Sequence, residues 1–268
     1  MRRRKFFWIA GILGFIFLEG NAQAPFSSRV DPDYAAVYAA NENFNFDWRE
    51  EMIPMRDGTK LFTIILVPRI KEKMPILLTR TPYGALKRIA LDQGPRLEDA
   101  LPGGDGVLAQ ANYIRVFQDI RGRYRSEGDY VMTRPLRGPL NPTETDHSTD
   151  TYDTVEWLLK NVAENNGRCG MIGTSYDGFL VLMGLVNPHP ALKAAVAINP
   201  MVDVWMGDDW FHRGAFRQQM ADFLYSHESS RNSELALENG YSDEYERFLA
   251  AVSAGNFGRR NGMESLSS

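Results

Sequence analysis

Between residues 52 and 199, short apolar runs of strand length alternate with segments of helical spacing, and this leaves few folds open to the chain. Met52-Ile53-Pro54-Met55 and the run from Lys60 to Val67 flank Arg56-Asp57-Gly58-Thr59. An Asp-Gly pair between two apolar runs predicts an antiparallel hairpin. Pro75 to Thr81, Asn112 to Gln118, Arg168 to Gly173 and Lys193 to Asn199 read as buried strands. Helices are expected over residues 106–111 and over residues 179–186. A further helix is expected from a cap at Thr149 or Asp150, with Val155, Leu158, Leu159 and Val162 on its apolar side. The segment from Asp119 to Asp150, rich in Gly, Pro, Arg and Asp, reads as a long functional loop. The expectation is an α/β core over residues 51–200: a mostly parallel sheet with an antiparallel N-terminal hairpin. Past Pro200 the aromatic residues Trp205, Trp210, Phe211, Phe216, Phe223 and Tyr225 fall at helical spacing, and no further strand is expected.

Composition agrees with a large buried core, since 44% of residues are hydrophobic and 24% charged. The net charge of −4 gives a nucleic-acid partner no electrostatic support. One cysteine, Cys169, excludes an intrachain disulfide and any zinc site made of several thiolates. No spacing of His, Asp and Glu suggests a ligand set, so neither a cofactor nor a metal is expected.

The N-terminus reads as an address. Arg2-Arg3-Arg4-Lys5 precedes an apolar run from Phe6 to Leu18 and small residues around Ala22 and Ala24. This is the pattern of a signal peptide, residues 1–22, with cleavage after Ala22 and export to a periplasmic or extracellular space. The run falls short of the ~20 residues of a stable span, so no membrane span is expected once the signal is removed. Residues 23–50 read as an extended lead-in.

Gly173-Thr174-Ser175-Tyr176-Asp177-Gly178 reads as a nucleophile elbow between a strand and a helix, in the spacing G-x-S-x-x-G, with the second glycine one residue later than in G-x-S-x-G. Such a turn lifts a serine hydroxyl clear of the sheet edge at a helix N-terminus, where the helix dipole and free N–H groups favour a developing oxyanion. Alone, the pattern also suits a tight turn around an inert serine.

Five segments in order strengthen the functional reading: Thr79-Arg80-Thr81-Pro82-Tyr83-Gly84, Gln118-Asp119-Ile120-Arg121-Gly122-Arg123, Ser126-Glu127-Gly128, Tyr152 to Leu158, and the elbow itself. Together they resemble the α/β-hydrolases grouped with cocaine esterase, X-prolyl dipeptidyl aminopeptidase and glutaryl-cephalosporin acylase. Gly207-Asp208-Asp209-Trp210-Phe211-His212, with Gly214-Ala215-Phe216-Arg217, resembles the α-amino acid ester hydrolases in particular. The resemblance implies a serine hydrolase of small-molecule esters or amides, with Ser175 the acylated nucleophile. It implies an oxyanion hole from the Tyr176 backbone N–H and the Tyr83 phenol, and a substrate α-ammonium held by Asp209. Asp209 also suits a solvated pair with Asp208. Arg121 and Arg123, with Asp119, read as ion-pairing residues of the long loop.

An acyl-transfer serine needs a base and an orienting acid. Of the four histidines, His189 should lie at the far end of the helix that follows the elbow, roughly 18 Å away. His212 and His227 follow no strand candidate. The resemblance implies that acid and histidine come from later strands, so the expectation is a core truncated before them, with residues 201–268 a partial helical cap and little activity from this chain. An X-prolyl peptidase-like or cephalosporin acylase-like hydrolase, and a non-catalytic fragment, are the competing expectations.

Overall fold

The computed structural model describes residues 44–203, 206–207, 211–216 and 244–253, together with 255, 256 and 259. Residues 1–22, read from the sequence as a signal peptide, and most of the segment read as a lead-in lie outside them. The chain enters a hairpin of β1 (Phe46–Pro54) and β2 (Lys60–Pro68), with Phe46 opposite Pro68 and Pro54 opposite Lys60. Its turn closes through Met55 N–H to Thr59 O (2.8 Å) and Gly58 N–H to Met55 O (2.9 Å). β3 (Met74–Thr81), the short α1 (Leu97–Ala100) and α2 (Gly106–Gln110), and β4 (Ile114–Asp119) follow. Then come α3 (His147–Asn161), β5 (Asn165–Thr174), α4 (Tyr176–Gly184) and β6 (Leu192–Ile198).

The six strands form one sheet in the order β1-β2-β4-β3-β5-β6. β2 pairs antiparallel with β1 and β4, while β4-β3, β3-β5 and β5-β6 are parallel. The expected α/β core is therefore present. β2, β3 and β4 read as near-continuous apolar runs because both faces of the sheet are covered there. In β2, Leu61, Ile65 and Val67 enter one buried cluster with Ile76, Leu78, Val116, Val155, Leu158 and Met171. The alternate residues Phe62, Ile64 and Leu66 enter a second cluster, with Phe46, Trp48, Leu97 and Phe117. Each buried Leu or Ile of these layers contributes ~1.5–3 kcal/mol.

Three expectations change. β1 begins at Phe46, inside the segment read as lead-in, because Phe46 and Trp48 already alternate into the core while Asp47 and Arg49 face outward to Arg69 and Glu164. α3 is capped by Asp146 rather than Thr149 or Asp150: its carboxylate accepts Thr149 N–H (2.8 Å) and Thr149 Oγ1 accepts the Asp146 N–H (2.8 Å), a reciprocal box. Past Pro200 a two-residue hairpin appears, β7 (Phe211–His212) with β8 (Ala215–Phe216), where no strand was expected. The last described helix is α5 (Glu244–Ala251). Among the described residues no helix is long and apolar enough to cross a membrane.

Candidate active site

β5 runs out at Thr174, and Ser175 turns the chain into α4 with φ 60° and ψ −121°. A non-glycine residue there carries ~1–3 kcal/mol of backbone strain, held by the flanking strand and helix. Ser175 N–H donates to Ile198 O (2.9 Å), and Ser175 O accepts Phe179 N–H (3.0 Å) as the first bond of α4. Glycine on both sides is a spatial necessity. A Cβ on Gly173 would lie 2.3 Å from the Asp177 carbonyl oxygen, and one on Gly178 3.0 Å from the Ile198 oxygen.

Ser175 opens into a cavity of about 740 Å³ lined also by Thr174, Asn199, Met201 and Asp203. As the cap of α4, it stands where the first turn's N–H groups, that of Tyr176 included, have no carbonyl of their own helix to bond. Tyr176 itself is buried; its phenol oxygen accepts Thr133 N–H (2.8 Å). The half-buried Tyr83 ring meets the Tyr176 ring edge-on at 6.5 Å. The structure thus brings Ser175, Tyr176 and Tyr83 to one end of the sheet. Asp209 lies outside the described residues.

The turn bearing Tyr83 is fixed from beneath. Asp119, at the end of β4, accepts Ala85 N–H (2.6 Å) and Arg125 N–H (3.4 Å). Its burial pushes the carboxyl up to about 7, against those two N–H groups and the charges of Arg123 and Arg125. Arg123 donates to Pro82 O (2.9 Å) and lies over the Tyr130 ring (4.9 Å). Of the three residues read as ion-pairing in the long loop, Arg121 bridges Asp57 and Asp150, both at 2.7 Å. Asp119 and Arg123 instead hold backbone, because the turn they line presents N–H and C=O groups.

Sequence reasoning missed Arg88. It ion-pairs with Asp177, reaches Thr81 Oγ1 (3.4 Å), and sits over the Tyr83 ring (5.5 Å). One side chain thereby joins the tyrosine turn to the elbow helix. The acidic residue at the elbow's variable position was the signal available.

No histidine among the described residues bonds Ser175 Oγ. His189 Nε2 pairs with Glu156 (2.8 Å), and its carbonyl accepts the N–H of Leu192, the first residue of β6 (2.8 Å). That is the sheet end opposite Ser175, as expected. His212 is exposed on β7. His147 is buried against Phe179 (5.9 Å), and burial, then Arg80, Arg134 and Arg121, hold it neutral with its pKa well below the ordinary value. His227 lies outside the described residues.

A hairpin-entered, mostly parallel sheet with a strained serine between strand and helix defines the α/β-hydrolase class. Comparison with known proteins narrows this. Residues 57–258 match the X-Pro dipeptidyl-peptidase (S15) family, and the chain belongs to that family. It is 29% identical over 164 residues to cocaine esterase of Rhodococcus sp. (strain MB1 Bresler), covering 61% of this chain and 25% of that protein. An α-amino acid ester hydrolase structure is 50% identical with a TM-score of 0.83. An aminopeptidase structure from a marine sediment Thaumarchaeota archaeon is 47% identical with a TM-score of 0.81. Each structural match covers 92% of this chain and 39% of the other, so the chain spans well under half of the relatives it matches.

Proposed function

We propose that the chain carries the nucleophile and oxyanion-hole half of a serine hydrolase that cleaves esters or amides of α-amino acids through an acyl-enzyme at Ser175. The observation that carries this reading is the Ser175 backbone, strained at φ 60° at the cap of α4 and open to the cavity. In it, the Ser175 hydroxyl adds to the substrate carbonyl and the alkoxide is received by the Tyr176 N–H and the Tyr83 phenol. Preorganised donors of this kind contribute ~3–4 kcal/mol each to the transition state. The tetrahedral adduct then collapses, expelling alcohol or amine, and water releases the acid.

Asp209 is assigned the substrate's α-ammonium, on the resemblance of its neighbourhood to the α-amino acid ester hydrolases. An amine-bearing substrate also suits the family's X-prolyl peptidases and the similarity to an aminopeptidase. The base and its acid are assigned to residues beyond the described ones, since the described histidines are exposed, buried against Phe179 or at the opposite sheet end. Little turnover is expected of the 268 residues alone. The basic head and apolar run of residues 1–22 support export. A fluorophosphonate probe tests the assignment: any adduct found by peptide mass spectrometry should map to Ser175 and be slow to form. An adduct on another serine, with Ser175 unmodified, contradicts it.

A further inference from the structure

Beside the Ser175 cavity lies a second pocket of about 210 Å³, and the two share Met201 and Val202 as a common wall. A ligand held at Ser175 can therefore extend into it. Its apolar lining includes Phe179, Met183, Pro135 and Leu136. An apolar cavity of ~150 Å³ holds a benzene ring, so a ring or short branched chain fits here. Phe179 and the Met183 thioether are suited to an aromatic face or edge.

Arg134 also lines this pocket. It is half-buried, and its guanidinium bonds the Asp129 carbonyl oxygen (2.8 Å). Among the described residues no carboxylate lies within ion-pair distance of it, whereas neighbouring Arg121 is held by both Asp57 and Asp150. His147, behind Phe179, is held neutral and adds no charge of its own. Burial first, then the Arg121 charge, disfavours the charged form of Arg134, offset in part by the carboxylates of Asp150, Asp129 and Asp57, none of which is within ion-pair distance. A planar carboxylate matches its fork of donors.

The loop carrying Arg134 is built rather than loose. Thr133, at φ 48°, donates its N–H to the Tyr176 phenol (2.8 Å). Asn141 donates its amide to Pro135 O (2.8 Å) and Thr145 O (3.0 Å), and Arg137 N–H bonds the Asp146 carboxylate (3.1 Å). Tyr176 follows Ser175 directly, so pocket and elbow are registered to each other.

We infer that this side pocket is a subsite for an apolar group ending in a carboxylate, carried by the substrate whose scissile carbonyl sits at Ser175. The inference rests on Ser175 as the reacting residue, yet binding at the subsite does not need its hydroxyl.

The test is equilibrium binding of 3-phenylpropionate and its neutral amide, read by the methyl resonances of 13C-labelled methionines. 3-Phenylpropionate should shift Met183 and Met201 and bind at least about tenfold more tightly than the amide. Arg134→Gln should bring the two to parity, Arg134→Lys should keep much of the preference, and Ser175→Ala should bind like the parent. Equal affinity for acid and amide in the parent overturns the inference, as does a preference that survives Arg134→Gln or shifts that spare Met183. If Arg134→Gln does not fold, the Met183 shift and the acid-over-amide ratio of the parent still decide. Carboxylate selectivity together with a fluorophosphonate adduct on another serine and not on Ser175 would leave the subsite standing and remove the serine assignment; an adduct on Ser175 without selectivity would do the reverse.

Discussion

Arg88 and Asp177 form an ion pair that ties the turn of Tyr83 to the first turn of α4, two residues past Ser175. The Asp177 side chain is 4% exposed and that of Arg88 33%, so water screens the pair only in part. The spacing between phenol and elbow thus depends on a contact that neither the Tyr83 turn nor α4 makes alone.

A double-mutant cycle with Arg88→Ala and Asp177→Asn should therefore give a coupling energy on the order of 1 kcal/mol in urea unfolding. Strictly additive losses would show that the pair holds nothing.

Gly173→Ala should be far more damaging than a surface change, because its Cβ would meet the Asp177 carbonyl oxygen at 2.3 Å and backbone cannot yield as a side chain can. A loss of about 3 kcal/mol is expected in denaturant midpoints. Gly167→Ala serves as control for the assay, since a Cβ there meets nothing within 4 Å and only its positive φ opposes the change.

The hairpin and the four parallel-sheet strands were legible because turn residues and apolar runs are local signals that the tertiary structure reinforces. The start of α3 was not: Asp146 and Thr149 cap each other reciprocally, and one half of such a box looks like a cap by itself. β1 was half-missed because Phe46 and Trp48 alternate with Asp47 and Arg49 over too few residues to outweigh a polar segment. Two-residue strands at Phe211–His212 and Ala215–Phe216 carry no period at all. For the site, Ser175 announces itself through its glycines. Tyr83 entered through family resemblance, since nothing local links it to residue 176. Arg88 pairs with a residue 89 positions away, where pairing is a property of the fold, and Arg134 stands out only once the fold sets it beside Phe179 and Met183.

Asp119 gives stability a pH dependence of definite sign. Its folded carboxyl titrates near 7 against the ordinary 3.8, so the native state keeps a proton that the unfolded chain releases. Stability from this group is full below about pH 4 and falls as pH rises toward 7, by at most ~1.4 kcal/mol per unit. The Asp119→Asn variant should lose this component, measured as the wild-type-minus-variant difference in unfolding free energy at pH 5 and 7. A difference that is the same at both pH values would contradict the assignment.

β6 ends the sheet among the described residues, with Val196 48% and Ile198 41% exposed. An apolar edge strand invites pairing between copies. Val196→Lys should raise the concentration at which light scattering first reports aggregates; an unchanged threshold would show that this edge is covered.

The most direct measurement is p-nitrophenyl acetate hydrolysis by the protein minus that by Ser175→Ala, with and without added imidazole. The account predicts no difference in buffer alone, since no imidazole of the described residues reaches Ser175, and a Ser175-dependent increment once added imidazole serves as base, diminished by Tyr83→Phe. A Ser175-dependent rate without imidazole would contradict it by revealing a base already in place, and no increment with imidazole would contradict it by showing that Ser175 is not poised to react.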